Sequence, residues 1–197
     1  VIDPGGIQWM TAGRGIVHSE MPEQEDGMLE GFQLWVNLPA EHKMDKPAYQ
    51  EYSADHIPVE SRHGGVQVRV ISGQTSQGTS GPVVQPLTDP LYLDVTVPAG
   101  EAFIETLPES HNAFIYVIYG PVVAEDEHGE SVQLMRDDLG ILSQGSEVSL
   151  KVTENETRFL LISGKPLGEP VARGGPFVMN TRDEVQQAFD DYNNGRF

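Results

Sequence analysis

His18 and Glu20 stand two residues apart, just behind the glycine-bearing run Ala12-Gly13-Arg14-Gly15. An imidazole and a carboxylate at that spacing are the pair in this chain best suited to chemistry. On a strand, side chains alternate between faces, so His18 and Glu20 would point one way and Val17 and Ser19 the other. Such nitrogen and oxygen donors suit iron, manganese, nickel, copper or zinc, with coordination positions left open for a substrate. Two ligands do not complete such a centre, and His-x-Glu alone also fits a polar pair at a strand end. The chain contains no cysteine, which excludes disulfides, zinc–thiolate sites, iron–sulfur clusters and thiol nucleophiles.

The elements that must position this pair read as short strands separated by Gly, Pro, Asn and Asp turns, the pattern of a barrel or sandwich. Phe32, Leu34, Val36 and Leu38 alternate with Gln33, Trp35 and Asn37, which predicts a strand. The same period recurs at Val66, Val68 and Val70, at Leu91, Leu93, Val95 and Val97, and at Val148, Leu150 and Val152. Residues 113–119 and 159–162 are apolar or aromatic nearly throughout, as expected of central strands covered on both faces. Residues 73–86 read as an exposed loop, and residues 125–130, around Gly129, as a hairpin tip. Thr181 and Glu184 form a capping box ahead of one helix. Its apolar stripe, Val185, Ala188, Phe189 and Tyr192, runs to a stop at Gly195 and is expected to cover a barrel mouth or an interdomain seam.

With 197 residues, 38% of them hydrophobic, the chain can pack a core without disulfides or a structural metal. Thirty acidic against twelve basic residues give a formal charge of -18. That charge repels a phosphate backbone, so direct nucleic-acid binding is not expected. No apolar run reaches the length of a membrane span and no signal peptide is evident, so the expectation is a soluble, cytoplasmic protein with no membrane partner. His42, His56, His63 and His128 lie in polar or turn-like segments and read as solvent-exposed. His111 precedes an apolar run but has no second histidine two residues on, and no histidine follows in residues 138–148. No second metal centre can be assembled around it, and His111 reads as structural.

The run Gln8-Trp9-Met10-Thr11-Ala12-Gly13-Arg14-Gly15-Ile16-Val17-His18-Ser19-Glu20 resembles the second metal-binding motif of the N-terminal barrel in the pirin family of bicupins. The resemblance continues through Leu34-Trp35-Val36-Asn37-Leu38-Pro39, Lys43-Met44, Pro47 and Tyr49-Gln50, then Leu91-Tyr92-Leu93-Asp94 and His111-Asn112-Ala113-Phe114. It closes with Gly168-Glu169-Pro170-Val171 and Gly175-Pro176-Phe177-Val178-Met179-Asn180-Thr181, and so spans the chain. It implies an all-β, double-stranded β-helix (cupin, jelly-roll) bicupin with an incomplete first barrel and a C-terminal α-helix. Residues 1–58 would be the downstream, metal-binding half of the N-terminal cupin, and residues 59–197 the C-terminal cupin with its helix. Pirins also carry a His-x-His motif ahead of the matched run. This sequence opens at Val1 without it, so the remaining histidine ligands are expected upstream of Val1.

From the resemblance follows one mononuclear Fe(II)/Fe(III) site in the N-terminal cupin, held by three imidazoles and one carboxylate, with other divalent metals possible. His18 and Glu20 would be two of its ligands, and Glu20 also a candidate catalytic base. A base role needs the carboxylate to leave the metal or share its position. The implied activity is that of a quercetin 2,3-dioxygenase, an oxidoreductase acting on a small aromatic substrate such as a flavonol with O2. The alternative is a non-catalytic, iron-dependent regulator whose protein partner is a transcription factor or metabolic enzyme. A third reading is a structural bicupin fragment with no function of its own. With two ligands, metal affinity should be weak.

Overall fold

Among the described residues the chain forms fourteen short strands and one α-helix. The computed structural model describes residues 2–19, 21, 26–126 and 128–197. Strands β1 (Ile7–Thr11) and β2 (Ala48–Tyr52) pair in a two-stranded sheet. Next come β3 (Val59–Ser61), β4 (Gln67–Ser72), β5 (Leu91–Val97), β6 (Ala102–Thr106) and β7 (Asn112–Tyr119). They are followed by β8 (Val122–Glu125), β9 (Ser131–Leu134), β10 (Leu139–Ile141), β11 (Glu147–Lys151) and β12 (Thr157–Gly164). A hairpin of β13 (Ala172–Gly174) and β14 (Phe177–Met179) leads into α1 (Arg182–Asn193). The chain divides into two compact units, one mainly Tyr52–Pro166 and the other mainly Gln8–Glu51 with Leu167–Phe197.

The Tyr52–Pro166 unit is a two-sheet jelly roll. Its six-stranded sheet runs β10-β7-β12-β5-β4-β3 and its four-stranded sheet β6-β11-β8-β9, with antiparallel ladders throughout. Inward positions of both sheets share one core, including Val68, Val70, Leu93, Val95, Ile115, Val117, Phe159 and Leu161 from the larger sheet and Phe103, Val122 and Leu150 from the smaller. Phe103 and Phe159 meet edge to face at 5.6 Å, a geometry aromatic quadrupoles favour. As the sequence suggests, β12 lies inside the sheet and is buried on both faces from Phe159 to Ser163. Neighbouring β7 is also interior, although its burial still largely alternates.

Two charged clusters interrupt the apolar pattern. Glu105, on the inward face of β6 beside Phe103, is fully buried and accepts hydrogen bonds from Arg62, from the Ser76 N–H and from the Thr106 N–H. Arg62 reaches Glu60 and Glu105 at 2.6 Å each, donates to the Ile104 carbonyl, and lies over the Phe103 ring at 5.0 Å. On the sheet's other side of β5, buried Asp94 takes a bidentate pair from Arg158, at 2.8 and 2.7 Å. Every charge here has a partner, which is the condition for keeping ions out of water.

Three expectations change. Residues 32–38 form no strand, and Phe32 and Trp35 are half exposed. Trp35 instead stacks against Arg173 at 5.2 Å. The 73–86 segment is an anchored loop rather than a fully exposed one. Thr75 is buried and donates to Glu60, and Val83 is buried and bridges to Ser72. The stripe of α1, expected at a barrel mouth or seam, packs on the β13–β14 hairpin of its own unit, where Phe177 contacts Phe189, Tyr192 and Phe197.

Candidate functional site

Strand β1 stops at Thr11, and the glycines behind it are placed for backbone reasons. The Gly15 N–H donates to the Ala12 carbonyl at 3.0 Å, and the Arg14 N–H donates to the Asp45 carbonyl at 2.9 Å. Gly13 sits at φ +53, and a Cβ there would come 2.2 Å from the Asp45 carbonyl oxygen. Gly15, at φ +138, would place a Cβ 2.6 Å from the Phe197 ring. Only glycine allows both this conformation and this close approach.

His18 follows that turn in irregular backbone and is exposed. No strand forms at residues 16–19, so the strand expected behind the glycine-bearing turn is absent at His18. Glu20 lies outside the described residues. Trp9 and Met10, on β1, are half buried.

The other histidines are accounted for locally. His42 Nδ1 lies 2.7 Å from Asp45 Oδ2, and His56 Nδ1 lies 2.7 Å from Ser53 Oγ. His63 and His128 are exposed, whereas the His111 side chain is 8% exposed, in keeping with a structural place. Among the described residues no group of three or more His, Asp or Glu could hold a metal ion. The described donors by themselves therefore do not fit a mononuclear metal centre.

Sequence reasoning missed how the matched motifs meet. Buried Lys43 donates to the Asn37 side-chain oxygen and to the Val178 carbonyl. Glu169 accepts from the Ala40 N–H at 2.8 Å and from the Asn180 amide at 2.9 Å. Glu184 closes the helix cap by accepting from the Thr181 N–H and the Asn180 N–H. Burial pushes the Lys43 ammonium below its usual pKa, against the opposing pull of Glu169 and Glu184. The runs around Asn37, Lys43, Glu169 and Asn180, far apart in sequence, thus close into one polar cluster. A lysine and a glutamate inside otherwise apolar motifs were the available signal.

Similarity to known proteins agrees with this arrangement. The family model described as the pirin C-terminal cupin domain matches residues 92–197, and the pirin model matches residues 1–36. A pirin-like protein of Caulobacter vibrioides is 50% identical over the whole of this chain, which spans 69% of that relative. The chain belongs to the pirin family. Pirin-1 of Arabidopsis thaliana is 44% identical over 99% of the chain and 67% of its own length. The crystal structure of quercetin 2,3-dioxygenase from Acinetobacter baumannii superposes with a TM-score of 0.86 at 35% identity, covering all of this pirin and 68% of that chain. The cupin fold with a C-terminal helix is therefore a property of the pirin itself. No helix among its described residues is long and apolar enough to cross a membrane.

Proposed function

We propose that this pirin is a metal-dependent oxidoreductase of the quercetin 2,3-dioxygenase type, acting on a flavonol-like substrate with O2. The observation that supports the reading is the superposition of all of this chain on 68% of the Acinetobacter baumannii quercetin 2,3-dioxygenase. His18 and Glu20 would supply one imidazole and one carboxylate to an iron centre, the remaining ligands coming from outside this sequence. A donor set of this kind suits iron with open positions. Bound there, the metal would polarise a coordinated substrate hydroxyl.

Two measurements test this. Iron analysis of the 197-residue chain should find far less than one iron per chain, and stoichiometric, tightly held iron would overturn the two-ligand reading. In the protein that carries this chain, O2 uptake with quercetin should be lost in His18→Ala and in Glu20→Gln, together with iron affinity, since each removes a direct ligand. Unchanged turnover in His18→Ala would remove the assignment. Iron binding without turnover, joined to redox-dependent capture of a protein partner, would establish a regulator instead.

A further inference from the structure

Among the described residues, two that are not glycine hold a left-handed backbone, Asp137 at φ 69 and Asp89 at φ 43. A strained residue of this kind is where a functional hypothesis starts. Asp137 is held in place on two sides: its N–H donates to the Val117 carbonyl at 2.8 Å, and its carboxylate accepts from the Tyr116 hydroxyl at 3.1 Å. Asp89 differs because it directly precedes Pro90. The proline ring crowds the residue before it and favours extended backbone there, so a left-handed residue at this place is strained twice over.

Both neighbours of Asp89 are anchored, so the strain cannot relax along the chain. Thr88 is buried and its carbonyl accepts the Lys165 N–H at 2.8 Å. Pro90 is buried, and Leu91 opens β5 across from Ser163 on β12. The Asp89 N–H donates to the Gln85 carbonyl at 3.1 Å. Its carboxylate, by contrast, can turn: the side chain is 72% exposed, and the ionisable group facing it, His111, keeps Nε2 3.9 Å from Oδ2, beyond hydrogen-bond reach. The Asp89–Pro90 peptide bond is thus strained on its acyl side, fixed on its amine side, and within reach of a carboxyl group and of water.

Those are the parts of a hydrolytic site that needs no other residue. The protonated Asp89 carboxyl attacks its own backbone carbonyl carbon and closes a cyclic anhydride. The C–N bond to Pro90 breaks, and the proton released by the carboxyl passes to the Pro90 nitrogen, which leaves as a secondary amine. Water then opens the anhydride and gives Asp89 two carboxyl groups. The net change is addition of one water across one peptide bond, with no oxidant or reductant. Breaking the bond frees Asp89 from the anchored Pro90, so part of the backbone strain is released as the bond lengthens and lowers the barrier.

We propose that Asp89–Pro90 is a self-cleavage site, hydrolysed in the folded chain by the Asp89 carboxyl group. The site lies within the Tyr52–Pro166 unit and does not depend on the metal reading. The β4–β5 ladder spans the cut, so the pieces 1–89 and 90–197 stay together until they are unfolded. Asp3–Pro4 is the same dipeptide without a left-handed φ, and it serves as the internal reference. The test incubates the full chain in mildly acidic buffer, with circular dichroism verifying the fold, beside the same chain unfolded in urea. New Pro90 and Pro4 amino termini are counted by denaturing mass spectrometry and N-terminal sequencing. In the folded chain Asp89–Pro90 should open at least about tenfold faster than Asp3–Pro4, and in urea the two rates should agree within about twofold. Asp89→Ala should abolish the cut before Pro90 and leave the cut before Pro4 unchanged. The comparison of two bonds in the unaltered chain needs no variant to fold. A folded-state rate at Asp89–Pro90 no greater than that at Asp3–Pro4, an excess that persists in urea, or cleavage before Pro90 in Asp89→Ala would overturn the proposal.

Discussion

Glu105 is buried at 0% exposure with Arg62 and two backbone N–H groups in place of the water it gives up. Removing the cation should therefore cost more than the pair contributes. Arg62→Ala is expected to destabilise the jelly-roll unit by about 3–5 kcal/mol in urea unfolding, since it leaves buried carboxylates uncompensated. At Glu60, burial raises the carboxyl pKa, but hydrogen bonds from Thr75, Thr79 and Arg62 with the Arg62 charge outweigh it and hold the group below its usual value of 4.5. A depressed carboxylate contributes stability above its unfolded pKa and loses it as pH falls through the folded one. Thr75→Val should accordingly cost about 1.5–3 kcal/mol at pH 7, with the difference from the parent shrinking in acid, as pH falls below the usual 4.5 and through the lowered value at which Glu60 protonates. Gly13→Ala combines a positive φ with a Cβ 2.2 Å from the Asp45 carbonyl. The change should cost more than about 1 kcal/mol and displace the turn that leads to His18. Amide hydrogen exchange at Arg14, whose N–H bonds to Asp45, would report it.

Strand β5 and helix α1 carry the element-scale expectations. On β5, burial first and the neighbouring Asp94 charge second push the Tyr92 hydroxyl pKa up to about 12. An acid whose folded pKa is raised favours folding below its unfolded pKa near 10 and loses that contribution as pH climbs toward 12. Tyr92→Phe should thus remove part of the alkaline destabilisation between those values, seen as a higher alkaline unfolding midpoint by circular dichroism. In α1, Thr181 accepts from the Glu184 N–H while Glu184 reaches back to the Thr181 N–H. Thr181→Ala should cost about 1 kcal/mol of local stability, and hydrogen exchange in the first helical turn should rise before that in β12. Helix existence, cap and stripe were legible because each is a local pattern. The hairpin that receives the stripe was not, since nothing local connects Phe177 to Phe189.

At the scale of the whole molecule, 30 acidic and 12 basic residues make self-repulsion the dominant long-range term. Thermal stability should rise with salt from low ionic strength as that repulsion is screened. A duplex DNA titration at low salt should show no binding; saturable binding would reveal clustered cations that the sequence does not suggest. Strand alternation in β4, β5 and β11 was readable because one face of each enters the shared core and a two-residue period records it. The same period at residues 32–38 predicted a strand that is not there. A strand is completed by a neighbour's backbone, and that neighbour is not in the local sequence.

The sequence by itself determined the all-β class, the capped C-terminal helix and the pirin motifs, because these depend on residue type, period and spacing. It also determined that this chain supplies no thiolate to a metal, there being no cysteine in it. Only the tertiary structure decided that the backbone at His18, behind the glycine turn, is irregular rather than a strand. It alone showed that Arg62 joins Glu60 to Glu105 and that Lys43, Glu169 and Asn180 close one cluster. It also set His111 beside Asp89. Each of these pairs residues across sheets, turns or more than a hundred positions, and such proximity follows from how the backbone returns on itself rather than from any pattern along it.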